Sequence, residues 1–332
     1  MGILTIKPYT EYTLDCIQNL YVSLLHHYQY DIRLLGACWP WEFKLIDARR
    51  PSDILQKQVI NTRLTSEERL IKIYGAKLMY HAFADIGSMW REIKAMLENN
   101  VPVVVGIDHF DVQYRAQIDK YHVQQGEHTV MLQGYNSSSR ELYFIDTMPV
   151  YKGSISESVF LRSLESNERG LWFSEIQFQD NRCQIDLEIL WDYFIESIRR
   201  IEEGDGSSGC IYTDYFIRLM RTLLESKNEI DLEKELKCLC SGLWGWEIDR
   251  KGIWFNQFLK LCQSKNLVET VQECIDLTVK NNRNWILVFR PLFMATKGSS
   301  PEPMAEKALL KLQEIRQTDQ ELFELIRQFG SR

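Results

Sequence analysis

The hydrophobic period changes near residue 180, and this constrains the fold more than any other feature of the chain. Before it, apolar residues run in short β-branched stretches. VPVVVGIDHF (101–110) is a continuous run of the kind a strand buried on both faces carries. HTVMLQGYN (128–136) and ELYFIDTMP (141–149) flank the turn-forming SSSR (137–140), the pattern of an antiparallel hairpin with a short loop. After residue 183 the period becomes helical. DLEILWDYFIESIRRIEE (186–203) places Leu187, Leu190, Trp191, Phe194, Ile198 and Ile201 on one face. GDGSSG (204–209) breaks that helix. Further helices are expected at 212–227, 232–243, 253–264, 267–281 and 303–329, the last preceded by a linker, GSSPEP (298–303). The expected fold class is α+β: a domain over 1–180 with a helix packed on an antiparallel sheet, then an all-helical domain over 181–332, both of ordinary domain size.

Charge and cysteine usage narrow the partners. The net charge of −7 gives no electrostatic case for nucleic acid or an anionic membrane surface. No apolar run reaches membrane-spanning length. The start, MGILTIKPYTEY, lacks the basic and apolar regions of a secretory signal. The eight cysteines are irregularly spaced and none forms a CxxC pair, which fits reduced thiols and a cytoplasmic location. Cys238 and Cys240 form a CxC with no second ligand pair to complete a zinc site.

One cysteine is placed differently. Residues 15–27 read as a helix with Leu14, Ile17, Leu20, Tyr21 and Leu24 as its buried stripe and Asp15 as its N-cap. Cys16 is then the first helical residue, where unpaired N–H groups and the helix dipole favour a thiolate. A thiolate nucleophile needs a base, and the base an orienting partner. His128 begins one strand of the hairpin, and Asp146 lies on the other strand, far from the turn. Strands about 5 Å apart bring the two within hydrogen-bond reach. A Cys, a His and an Asp in that order follow the logic of a nucleophile–base–orienter triad.

The same residues carry a family resemblance. DCIQNL (15–20), PVVVGIDHFDVQYR (102–115) and EHTVMLQGYNSSSRELYFIDTMP (127–149) resemble the N-terminal domain of butirosin biosynthesis protein H and its relatives, papain-like cysteine acyltransferases. The last block is the most specific, with a His-led strand, a GYN turn and a strand ending I-D-T-x-P in register. The resemblance implies a papain-like catalytic domain and a Cys-His-Asp triad of Cys16, His128 and Asp146. It implies an acyl or aminoacyl donor held as a thioester on the phosphopantetheine arm of an acyl or peptidyl carrier protein, with no bound cofactor or metal. A small-molecule amine is the implied acceptor, in antibiotic or related natural-product biosynthesis. Asp108 and Tyr114 are expected to line the site, with Tyr12 and Gln18 beside the thiol as further substrate-binding residues. Asp15 stands where the family commonly has a His, and no Gln precedes Cys16 as an oxyanion-hole donor. The backbone N–H of Cys16 is the available substitute.

Competing readings attach to the same residues. The fold also suits a thioesterase, a cysteine peptidase-like hydrolase or a catalytically silent interaction protein. Asp146 can serve as a turn residue alone. Asp108, His109 and Asp111 are the types a divalent metal takes, in a loop context where such residues are common. The aromatic CWPWEF (38–43) and the three tryptophans of SGLWGWEIDRKGIWF (241–255) are expected mainly to fill the core.

Overall fold

The computed structural model describes residues 4–11, 14, 16–37, 43–45, 59–61, 67–108, 112, 127–167, 170–178, 186–203, 209–243, 247–268 and 271–329. The chain divides into two compact units. One comprises Met1–Ile32 and Thr65–Ile185, the other Arg33–Leu64 and Asp186–Arg332. The later boundary lies beside the change of hydrophobic period, and residues 33–64 group with the helical unit. The architecture is α+β, an antiparallel six-stranded sheet with helices followed by a mostly helical region.

In chain order the elements begin with α1 (Cys16–His27), a 3₁₀ turn (Ile32–Ala37) and the short antiparallel pair β1 (Phe43–Leu45) and β2 (Val59–Asn61). Then come α2 (Glu67–Tyr74), β3 (Ala76–Phe83), α3 (Ile86–Glu98), β4 (Val103–Asp108), β5 (Glu127–Asn136) and β6 (Glu141–Thr147). β7 (Val150–Ser156), α4 (Glu157–Glu165) and β8 (Leu171–Phe178) complete the first unit, to which the β1–β2 pair does not belong. Its sheet has the order β3-β8-β4-β5-β6-β7, with every neighbouring pair antiparallel.

β4 shows why its sequence is continuously apolar: all six of its residues are buried. Val103, Val105 and Ile107 join one core cluster with Met89, Trp90 and Ile93 of α3 and Phe160 and Leu164 of α4. α1 lies against the other face, where the Tyr21 hydroxyl meets Ser174 Oγ of β8 at 2.6 Å. The hairpin turn falls at residues 137–140, and Asn136 Oδ1 accepts from the amides of Ser138 and Ser139. Glu157, at the start of α4, ties this hairpin to α3. It accepts from Trp90 Nε1, the Tyr135 hydroxyl and Arg140, which together hold its carboxyl down at about 2.

α1 departs from the expected single stripe. Leu14, Leu20, Tyr21 and Leu24 are buried and Ile17 is half-buried, but burial runs unbroken from Gln18 to Leu25. The cause is the preceding segment, which folds back over the helix. Tyr9 N donates to Ser23 Oγ and Glu11 N to Asn19 Oδ1, both at 2.8 Å. Ile6 N reaches across to Gln133 of β5.

The second unit contains α5 (Leu187–Glu203), α6 (Gly209–Glu225), α7 (Leu232–Leu243), α8 (Glu247–Ser264), α9 (Gln272–Ala295) and α10 (Pro301–Phe329). The 3₁₀ turn joins it because Gly36 abuts α8 so closely that a Cβ there would collide with the Trp254 carbonyl. α9 differs from the expected 267–281 helix: it starts at Gln272 and continues through Pro291 to Ala295. Pro291 removes one ladder hydrogen bond. Val288, Leu292 and Ala295 nevertheless bury against Ala305, Ala308 and Leu312 of α10, and that packing carries the helix past the proline. The expected linker at 298–303 is a tight turn. Gly298 takes φ +92°, the amides of Lys297 and Ser299 cap Met294 O, and α10 begins at Pro301. Among the described residues no helix is long and apolar enough to cross a membrane.

Candidate active site

The register of the sheet brings His128 and Asp146 together. β4 and β5 pair Ile107 with His128, and β5 and β6 pair Met131 with Ile145. Continuing the second register sets Val130 across from Asp146, so His128 is its diagonal neighbour, within range of an aromatic side chain. His128 Nε2 lies 2.8 Å from Asp146 Oδ2, and the carboxylate is fully buried. The other oxygen, Oδ1, accepts from Met148 N at 2.9 Å. Asp146 is therefore a turn residue and the imidazole's partner at once. A carboxylate accepts only, so Nε2 carries the proton toward it and Nδ1 is the basic nitrogen of the neutral ring.

Cys16 is the first residue of α1 and is half-buried. Thr129, which follows His128, donates its hydroxyl to Cys16 Sγ at 3.2 Å. Thr147, which follows Asp146, donates its hydroxyl to the Cys16 carbonyl at 3.3 Å. Cys16 is thus held to both strands, its thiol by Thr129 and its carbonyl by Thr147, the immediate neighbours of the imidazole–carboxylate pair. Side chains alternate along a strand, so the threonines are the residues turned toward α1 and His128 and Asp146 leave the other side of the pleat. His128 is the second residue of β5 and Asp146 the last but one of β6.

Asn19, one turn into α1, fixes the chain that leads to Cys16. Its Nδ2 donates to the carbonyls of Glu11 and Leu14, both at 3.1 Å, and its Oδ1 accepts from Glu11 N. Asn19 is completely buried, and Ser23 Oγ donates to its carbonyl. The first turn of α1 contains no acidic residue.

The remaining expected residues distribute as follows. Asp108 closes β4, is buried, and pairs with Glu127, the neighbour of His128. Gln18 is buried on α1. Tyr12, Asp15 and Tyr114 lie outside the described residues, and so do His109 and Asp111. Among the described residues no three His, Cys, Asp or Glu side chains gather as a metal site would require. Cys262 and Cys274 are a different kind of thiol: burial pushes both up to about 12, which keeps them protonated and unreactive. The sequence reading missed Thr129, Thr147 and Asn19. For the threonines the available signal was position, one residue after His128 and one after Asp146. For Asn19 it was a polar amide in an otherwise apolar helix.

No curated protein matches the chain. Residues 35–147 match the family model for butirosin biosynthesis protein H, N-terminal, a stretch of about a third of the chain. The match includes His128 and Asp146 and begins after Cys16, so the first of the three resembling blocks stands outside it. Across residues 35–147 the chain is similar to the butirosin biosynthesis protein H N-terminal family.

Proposed function

We propose that the chain is a thiol-dependent acyltransferase with Cys16 as nucleophile, His128 as general base and Asp146 as the residue that orients it. The observation that carries this reading is the His128–Asp146 contact, with the two following threonines on Cys16. The donor is an acyl or aminoacyl thioester on the phosphopantetheine arm of an acyl or peptidyl carrier protein. The acceptor is an amine on a small molecule, and the setting is antibiotic or related natural-product assembly. The family's name supports that setting.

The reaction divides into two steps. His128 Nδ1 takes the Cys16 proton, and the sulfur attacks the thioester carbonyl. The tetrahedral intermediate expels the pantetheine sulfur, which leaves with that proton, and Cys16 holds the acyl group. The acceptor amine then attacks the Cys16 thioester, a C–N bond forms, and the amine's proton passes through His128 to the departing sulfur of Cys16. The backbone N–H of Cys16, at the start of α1, suits the developing oxyanion. Asp108, Tyr114, Tyr12 and Gln18 are the residues proposed to line the substrate. The mechanism requires the His128 ring to reach the sulfur around the rim of β5.

The fate of the acyl group tests transfer against hydrolysis. With an acyl-loaded carrier protein and a panel of small amines, amide should form at the expense of free acid, and Cys16→Ala should abolish both. Free acid alone at every amine concentration would make the protein a thioesterase instead.

A further inference from the structure

We infer that Thr129 is a thiolate-stabilising residue: its hydroxyl, aimed at Cys16 Sγ from 3.2 Å, sets the acidity of the nucleophile and its direction of attack. The inference deepens the acyltransferase reading and rests on it for the role of the thiol. Three observations support it.

The first is polarity. The Thr129 hydroxyl is the donor and the sulfur the acceptor. A hydrogen bond donated to a group's charged form lowers that group's pKa. A hydroxyl donates to a thiolate more strongly than to a thiol, because the acceptor is then ionised.

The second is confinement. Thr129 is buried, on a strand paired on both sides, with Gly106 of β4 as its register partner. A β-branched side chain on such a strand has few rotamers, so the hydroxyl is pre-aimed. Cys16 is fixed as well. Thr147 holds its carbonyl, and Asn19 holds the chain just before it. Donor and acceptor therefore meet at little entropic cost.

The third is geometry around the site. A nucleophile held by a hydroxyl on the α1 side of β5 has one lobe engaged there. The His128–Asp146 pair begins at the residue next to Thr129. One strand start thus supplies both the proton acceptor and the hydroxyl that stabilises the resulting anion.

The test is the pH dependence of Cys16 alkylation by iodoacetamide, read on the Cys16 peptide by mass spectrometry in the full-length protein. Thr129→Val removes the hydroxyl and keeps the branched shape; Thr129→Ser keeps the hydroxyl. The midpoint in Thr129→Val should rise by about one unit, with about tenfold slower alkylation on the rising limb. Thr129→Ser should titrate within about a third of a unit of wild type. Thr129→Ala, with no branched methyl to misplace, gives the same reading if the valine variant does not fold. Acylation by the carrier thioester should be slowed in Thr129→Val near neutral pH and recover as the pH rises. Coincident titrations in wild type, valine and alanine variants would overturn the inference. The readout needs no acyl donor, so a failed acyl-transfer reading shows as an absent adduct with the titration shift intact. A failed Thr129 inference shows as an adduct formed with no shift.

Discussion

His128 Nε2 and Asp146 Oδ2 lie 2.8 Å apart, while the second oxygen of the same carboxylate accepts the amide of Met148. Both oxygens are committed to donors, so Asp146 cannot be replaced isosterically without consequence. An asparagine must keep its oxygen on the Met148 N–H, which turns its NH₂ toward His128. The ring must then accept at Nε2 and carry its proton on Nδ1, the nitrogen proposed to act as base. Asp146→Asn should therefore lower the single-turnover acylation rate by about 10²–10⁴-fold with the fold retained, and His128→Ala should fall in the same range. A rate within threefold of wild type for Asp146→Asn would remove the orienting role.

Asn19 binds the approach to Cys16 through two donated hydrogen bonds and one accepted, in a fully buried position. Asn19→Ala leaves Glu11 N–H and the Leu14 carbonyl without these partners and should destabilise the sheet-containing unit by about 1–3 kcal/mol. Asn19→Asp exchanges the two donated bonds for repulsion between acceptors and should cost more. Urea denaturation followed by hydrogen exchange in α1 would measure both.

Glu157 has a carboxyl held at about 2, below the ordinary 4.5, by hydrogen bonds from Arg140, Tyr135 and Trp90. A depressed carboxyl contributes stability that is present above its unfolded value and is lost as pH falls toward the folded one. Protection of hairpin amides in β5 and β6 should thus weaken between about pH 4.5 and 2. Glu157→Gln should show lower protection at neutral pH and less further loss on acidification.

Asp319 behaves in the opposite sense. Its carboxyl accepts from Thr213 and Asn281 inside the helical unit, and burial raises it to about 7. The folded state then keeps a proton that the unfolded state releases near 3.8, so stability is greatest at low pH and declines until about pH 7. Asp319→Asn should flatten that decline and stabilise the unit at pH 8, by on the order of a few kcal/mol. Denaturant midpoints at pH 5 and pH 8 for the two proteins provide the check.

The hairpin was legible because period-two alternation and SSSR act locally. The strands found, Glu127–Asn136 and Glu141–Thr147, end within two residues of the expected ones. β4 was legible for a similar reason, since only a strand covered on both faces needs an unbroken apolar run. The edge strands β3 and β7 were not: their exposed residues interrupt the pattern, and only the partner strand defines them. α9 was cut short at Asn281 because NNRN and Pro291 look like a stop. Helix packing against α10 overrides both. At the candidate site, the order of Cys16, His128 and Asp146 could be read along the chain. The threonine contacts could not, because a threonine's partner depends on which helix lies across the sheet.

In the proposed reaction Cys16 becomes acylated from a carrier-bound thioester. Intact-protein mass spectrometry after incubation with an acyl-loaded carrier protein tests it directly. Wild type should gain one acyl mass, mapped to the Cys16 peptide, absent in Cys16→Ala and strongly slowed in His128→Ala. An adduct that persists in Cys16→Ala, or no adduct on wild type with any carrier-bound acyl group tried, would contradict it.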